Sequence, residues 1–413
     1  MKTRLHGALL LLCLLAIIVA PGCPTTGAPP SGDTPVPSGE TQGTQDARLE
    51  WGCAYLGATS LNWAPRASGD EVIPLVTELP SVDRLEARVA PNGKKVAWAT
   101  AGDSINVHDL LTGETRRLAD LAPRVDYWEG SLRWSGDGNT IAYTDGGNLF
   151  AVGDENGGKP RLLAATGDVT DLCWSPDGQA IAYCRRSQLD EGLGLWRVSA
   201  LGGDPVELVP GTADVFAASG PEWSPDGERI AFLCAWEGGV LCMVDADGRD
   251  AAFDVQEAWF PVRWLSDSSA VLFNSASYPG PSRGVRAYSI GGGVKTVVEG
   301  GVVDYDLSEK GDLVVAVAGG AQDEMSSPTH IILGVVSGVP NAPLSRDVAR
   351  FDGVNAQCVW LPGGKSIAAI VQSAEGPGGE LFVCQAEEAE TQTLASGVYR
   401  LVGPAVRPQR PGS

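Results

Sequence analysis

From about residue 48 onward the chain is a succession of short apolar or alternating runs. They are roughly four to seven residues long and are punctuated by Gly, Pro, Asn and Asp. One run, Gln179-Ala180-Ile181-Ala182-Tyr183, follows directly on Trp174-Ser175-Pro176-Asp177-Gly178. This stretch predicts a strand, a tight turn and a second strand. Pro176 presets φ for the second turn position, Asp177 tolerates the bridge region, and Gly178 takes a positive φ at no steric cost. The following run is apolar and aromatic enough for a buried strand.

The hairpin recurs. Trp223-Ser224-Pro225-Asp226-Gly227 leads into Ile230-Ala231-Phe232, and Trp134-Ser135-Gly136-Asp137-Gly138 into Ile141-Ala142-Tyr143. Weaker copies start at Val89, Trp264, Leu307 and Trp360, so the gaps between copies are 45, 40, 49, 41, 43 and 53 residues. That is the length of a four-stranded propeller blade. Within a period the hairpin supplies strands A and B. A third strand such as Asn148–Val152 follows, then a Gly-rich turn (Asn156-Gly157-Gly158) and a fourth strand, Pro160–Leu163. With no helical period between them, these runs predict an all-β propeller of four-stranded antiparallel blades.

The termini predict how the ring closes. Cys53–Leu61 aligns without gaps on Ile141–Leu149, so the N-terminal part supplies strands B and C, and Val72–Leu79 strand D, without a strand A. Leu401-Val402-Gly403-Pro404 falls 43 residues after Trp360, where another strand A is due. Eight blades are expected, the last made of one C-terminal and three N-terminal strands, which seals two edges; seven blades is the fallback.

The Trp-Ser-Pro-Asp-Gly hairpins resemble the Pro-Asp-Gly-type repeats of TolB-like propellers, which are similar to WD repeats in architecture. The resemblance spans roughly residues 48 to 406 and implies a protein-interaction platform in the bacterial envelope. It is nearly silent on activity, because propellers host many functions.

Lys2 and Arg4 precede an apolar run from Ala8 to Ala20, a secretory signal over residues 1–22 that is short for a membrane span. Its end, Ala20-Pro21-Gly22-Cys23, resembles a bacterial lipobox and makes Cys23 the candidate for lipidation. Residues 23–47, rich in Pro, Gly, Ser and Thr, read as a disordered tether. The propeller then runs over 48–406 and a tail over 407–413. The expected location is the envelope, with a lipoprotein facing periplasm or cell exterior and touching membrane only through its N-terminal lipid. A net charge of −21 argues against nucleic acid as a partner.

Export permits disulfides. Cys173/Cys184 flank one A–B turn and Cys234/Cys242 one B–C turn; each pair either bridges its hairpin or packs as small hydrophobes. Outside the signal, His108 and His330 lie near no nucleophile motif and read as surface or loop residues. Asp245–Asp250 looks like half a calcium loop but falls at a C–D turn, so no metal and no cofactor is assigned. Trp134, Trp174, Trp223, Trp264 and Trp360 share one repeat position and read as packing between blades, leaving Trp128, Trp236 and Trp259 for a binding surface. The residue before the repeat Trp is Glu222, Arg263 and Asp306 in three successive blades, which predicts Arg263 between two acids near the channel. Arg88 and Arg133 hold the same position with no acid between them.

The reading is a monomeric propeller that binds a protein partner and has no assigned catalytic residue. The alternatives are a carbohydrate binder and a lyase or hydrolase using the central channel, which would need paired carboxylates or His at its mouth. The A–B and C–D turns, short and Gly-rich, define one face; the longer B–C and D–A loops define the other. Long loops carry function more often than short turns. The expected docking face is therefore the long-loop face, centred on Tyr127, Trp128, Arg185, Arg186, Trp259 and Tyr278.

Overall fold

A computed structural model of the chain describes residues 49–66, 71–82, 85–122, 132–155, 158–186, 192–211, 218–234, 239–255, 258–276, 282–320, 328–341, 343–374, 376, 378–387 and 390–409. The signal segment, Cys23 and the tether lie outside these residues.

The described residues form thirty-two strands, β1 to β32 in chain order, in eight four-stranded antiparallel sheets. Every fourth strand is the innermost of its blade. These are β4 (Leu85–Val89), β8 (Leu132–Trp134), β12 (Val169–Trp174), β16 (Ser219–Trp223), β20 (Ala258–Trp264), β24 (Val302–Leu307), β28 (Asn355–Trp360) and β32 (Arg400–Val406). They belong to blades 1 to 8 in that order. Blade 8 closes the ring as expected, since β32 pairs with β1 (Trp51–Leu56) and is followed outward by β2 (Leu61–Pro65) and β3 (Ile73–Val76). Cys53 stands opposite Pro404 and Ala54 opposite Gly403. Pairing continues past the strand: Arg407 N–H donates to Glu50 O at 2.6 Å and Gln409 N–H to Leu110 O at 2.9 Å.

The hairpin motif shows why it recurs. The Ser175 hydroxyl donates to Asp177 Oδ1 at 2.6 Å and accepts Ala180 N–H at 2.9 Å, while Asp177 Oδ1 also accepts Gln179 N–H. Ser135/Asp137 and Ser224/Asp226 repeat the arrangement. Gly178 sits at φ +69°, in the left-handed region that a Cβ disfavours.

Strand B is apolar on both faces because each face meets a different neighbour. Ile181 and Tyr183 pack toward blade 2, and Ala182 and Cys184 toward blade 4. Each of the eight blade junctions carries one such hydrophobic cluster. The repeat tryptophans do lie between blades. Trp134 Nε1 donates to Arg88 O, Trp174 Nε1 to Arg133 O and Trp264 Nε1 to Glu222 O, each on the preceding inner strand. Trp223 instead closes its own turn onto Gly227 O, and buried Trp360 Nε1 has no hydrogen-bond partner among the described residues. Trp63, outside the repeat position, seals blade 8 by donating to Ala405 O at 3.0 Å.

Cys234 and Cys242 form a disulfide across their hairpin, with Cα atoms 6.5 Å apart. Cys173 and Cys184 are buried free thiols, and desolvation pushes both well above the ordinary thiol range. The histidines differ from expectation. His108 is buried on a strand (Ser104–Asp109) and bonds Thr115 Oγ1 at 2.9 Å, while His330 opens the strand His330–Ser337. Asp245–Asp250 forms a C–D turn, with Gly248 at φ +87°. Among the described residues, no group of three His, Cys, Asp or Glu side chains is placed to hold a metal.

Candidate functional site

Two positions of the inner strands matter at the channel: the one before the repeat position and, in five of the strands, the one three before it. The second set was not anticipated. It comprises Glu86, Asp171, Asp304, Gln357 and Arg400, and its signal in the sequence is the polar residue two places upstream of the position already singled out.

Glu86 resolves the two arginines that lacked an acid between them. It stands on β4 and lies 3.0 Å from Arg88 and 3.1 Å from Arg133. Arg133 also reaches Asp171 at 3.7 Å. The expected triplet is met in half: Arg263 Nη1 lies 3.2 Å from Glu222 Oε1. Asp306, the other expected partner, points Oδ2 at Trp360 N–H of the next blade instead, at 2.8 Å. A main-chain donor fixed in direction outcompetes a guanidinium that is already paired.

The same device recurs from blade to blade. Asp171 Oδ2 accepts Gly220 N–H at 2.9 Å, Asp304 Oδ2 accepts Cys358 N–H at 2.9 Å, and Gln357 Oε1 accepts Leu401 N–H at 2.9 Å. Inner strands cannot pair as sheet neighbours across a junction, so these side chains satisfy the inward N–H groups.

Burial shapes the charges. Desolvation pushes Asp304 up to about 6, against the opposing effect of the Cys358 and Tyr305 N–H groups. Asp306 is raised for the same reason, against Trp360 N–H and Arg263. Arg88 is lowered by desolvation and by the like charges of Arg133, Arg400 and Arg263, with Glu86 opposing. Within the Glu222–Arg263 pair the effects disagree. Desolvation lifts Glu222 despite Arg263, whereas Arg263 is raised because Glu222, Tyr305 and Asp306 outweigh its own desolvation. Both side chains keep more than two-fifths of their surface open, 41% and 44%, so water in the channel screens the pair. We regard it as setting register more than adding stability.

A cavity of about 420 Å³ opens in the channel between blades 5 and 8 and blade 1. Arg88, Arg263, Asp304, Asp306, Gln357 and Arg400 are among its lining residues. A second depression, of about 590 Å³, lies on the long-loop face against Thr59, Ser81, Gln372, Tyr399 and the same Arg400. The short-turn face has a smaller groove of about 280 Å³ between blades 2 and 3, with Pro176 and Leu201 in its wall.

The residues expected at the docking face fare differently. Trp259 is 40% exposed at the start of β20, with its ring 6.4 Å from that of Phe260, itself 39% exposed. Arg185 lies on the strand Ala180–Arg186, where it is held by Asp168 at 3.1 Å and stacked over Trp196 at 5.1 Å. Arg186 follows it as the last residue of that strand, its backbone opposite Leu193. Tyr127, Trp128 and Tyr278 lie outside the described residues, as does Trp236.

No family model and no curated protein matches the chain. Solved structures do. A eukaryotic initiation factor superposes with a TM-score of 0.56 at 14% identity, over 86% of this chain and 87% of that one. An oligogalacturonate lyase in complex with manganese does so at 0.53 and 15% identity, over 83% and 97%. TolB from Acinetobacter baumannii is also a neighbour, at 15% identity over 76% and 79%, but its TM-score of 0.39 is too low to argue from. An initiation factor and a lyase at such identities share the architecture and nothing more specific. The chain is thus an eight-bladed β-propeller assembled from Pro-Asp-Gly-type hairpins.

Proposed function

We propose that this propeller is an exported, lipid-anchored binding platform of the bacterial envelope that docks a protein partner on its long-loop face. The observation that carries this reading is the adjacent Trp259–Phe260 pair, both two-fifths exposed where β20 enters from its D–A loop. Scattered exposed aliphatics, such as Leu201 at 76% on the short-turn face, are ordinary on a surface. An exposed rigid aromatic pair is the usual core of an interface. The signal over residues 1–22 and Cys23 at its end support the anchor.

Binding is preferred to catalysis because the channel carboxylates already have structural duties. Asp304 and Asp306 each give an oxygen to a main-chain N–H of β28.

The test places a photocrosslinking residue at Trp259 in one variant and at Leu201 in another, within intact cells. Adducts are expected from position 259, with few or none from position 201. Adducts from 201 alone would overturn the face assignment. Replacing Cys23 with Ser should move the protein from the membrane to the soluble fraction; retention in the membrane would overturn the anchor.

A further inference from the structure

The channel charges are segregated, and the docking reading does not use that fact. Arg88, Arg133 and Arg400 stand on the inner strands β4, β8 and β32, neighbours around the ring; Glu86 serves the first two, and Asp171 also reaches Arg133. Arg400 donates to Leu85 O at 3.3 Å and has no carboxylate within ion-pair reach among the described residues. On the other side of the 420 Å³ cavity, β24 brings Asp304 and Asp306, each anchored by main-chain N–H groups, while Arg263 of β20 beside them is paired to Glu222. Between the two walls β28 contributes Asn355 and Gln357, and the Gln357 carbonyl is engaged by Leu401 N–H, so its amide remains a donor.

A lone anion in this cavity would meet Arg400 but face two carboxylates. A lone cation would meet the carboxylates but face Arg88 and Arg400. A ligand that carries both signs satisfies both walls at once. We propose that the cavity binds a small zwitterion of the amino-acid type, with its carboxylate on Arg400 and Arg88 and its ammonium on Asp304. The planar guanidinium of Arg400 has donors left for a two-point contact with a carboxylate. Glu86 holds Arg88 in place beside it, and the Cys358 and Tyr305 N–H groups fix the Asp304 carboxyl at the cavity wall, where its oxygens keep lone pairs for the ligand's ammonium. The cavity volume falls within the range usual for small-molecule sites.

The experiment is calorimetric titration of the purified full chain with glycine, 4-aminobutyrate and 6-aminohexanoate, each beside the carboxylate of equal length lacking the amine: acetate, butyrate and hexanoate. At least one amino acid should bind about tenfold or more tightly than its matched carboxylate. Arg400→Gln and Asp304→Asn, checked for unchanged circular dichroism, should each abolish that preference. The wild-type series needs no variant to fold. Equal binding of every matched pair, or no heat from any probe up to about 10 mM, would overturn the proposal. So would a preference that survives both substitutions.

Discussion

Ser175 and Asp177 find their partners within five residues of themselves. Asp304, on the inner strand of blade 6, has to reach 54 residues ahead to Cys358. The hairpin turns and the channel strands belong to one repeat, yet the first are satisfied locally and the second only once neighbouring blades are docked. A local motif can be copied from blade to blade with little change, because nothing outside it needs to match. A residue that serves two blades must suit both, so the channel positions diverge and their charges segregate. The turns therefore build the fold, and the channel is where one propeller can differ from another.

Removing a contact that only the closed ring provides should show this difference most strongly. Truncation after residue 398 deletes β32, exposes the edge of β1 and strips the core between blades 8 and 1 of Ala405 and Val406. The expected result is loss of the cooperative melt, a cost of more than about 5 kcal/mol and comparable with the stability of a whole domain. A melt unchanged by the truncation would show that the ring does not depend on its closure.

Ser175→Ala sharpens the local side. It removes a hydroxyl, 5% exposed, that donates to Asp177 and accepts Ala180 N–H. A loss of about 2 kcal/mol is expected in chemical denaturation, with the secondary structure intact.

Legibility in the sequence follows the same division. Blade number, strand order and ring closure were readable because Trp-Ser-Pro-Asp-Gly encodes its own geometry, and because Cys53–Leu61 repeats Ile141–Leu149. The burial of His108 was not readable, since its strand gives no local sign of which neighbour it faces. Nor was the pairing of Arg88 and Arg133 through Glu86, because Glu86 reaches Arg133 only once two blades are docked, and nothing local in its strand marks that. The free thiols at 173 and 184 and the disulfide at 234 and 242 have similar spacings, and only their packing separates them.

On the channel side, Asp304→Asn should alter the dependence of stability on pH. The folded carboxyl titrates near 6 instead of its ordinary 3.8, so the folded state holds the proton longer than the unfolded chain. Stability of the wild type should therefore fall, relative to the variant, as pH rises from about 4 through 6. The variant keeps an oxygen for Cys358 N–H and escapes the cost of a buried charge. It should be more stable at pH 7 by about 1–2 kcal/mol, allowing for water in the channel. Parallel curves for the two proteins would mean that Asp304 is not desolvated.

Arg263→Met should have the smallest effect, at most about 1 kcal/mol, because Glu222 is left facing channel water and not a dry core. A loss of several kcal/mol in thermal melts would show that the pair is a true buried bridge.

The central claim, that the long-loop face docks the partner, is tested most directly by capture from membrane extracts with two face variants compared side by side. One variant carries alanine at Tyr127, Trp128, Arg186, Trp259 and Tyr278. The other carries it at Leu201, Ile290 and Val294, which are 76%, 53% and 43% exposed on the short-turn side. The account predicts at least about tenfold weaker capture by the first variant, as expected when anchor side chains are truncated, and wild-type capture by the second. Loss confined to the second variant would contradict it.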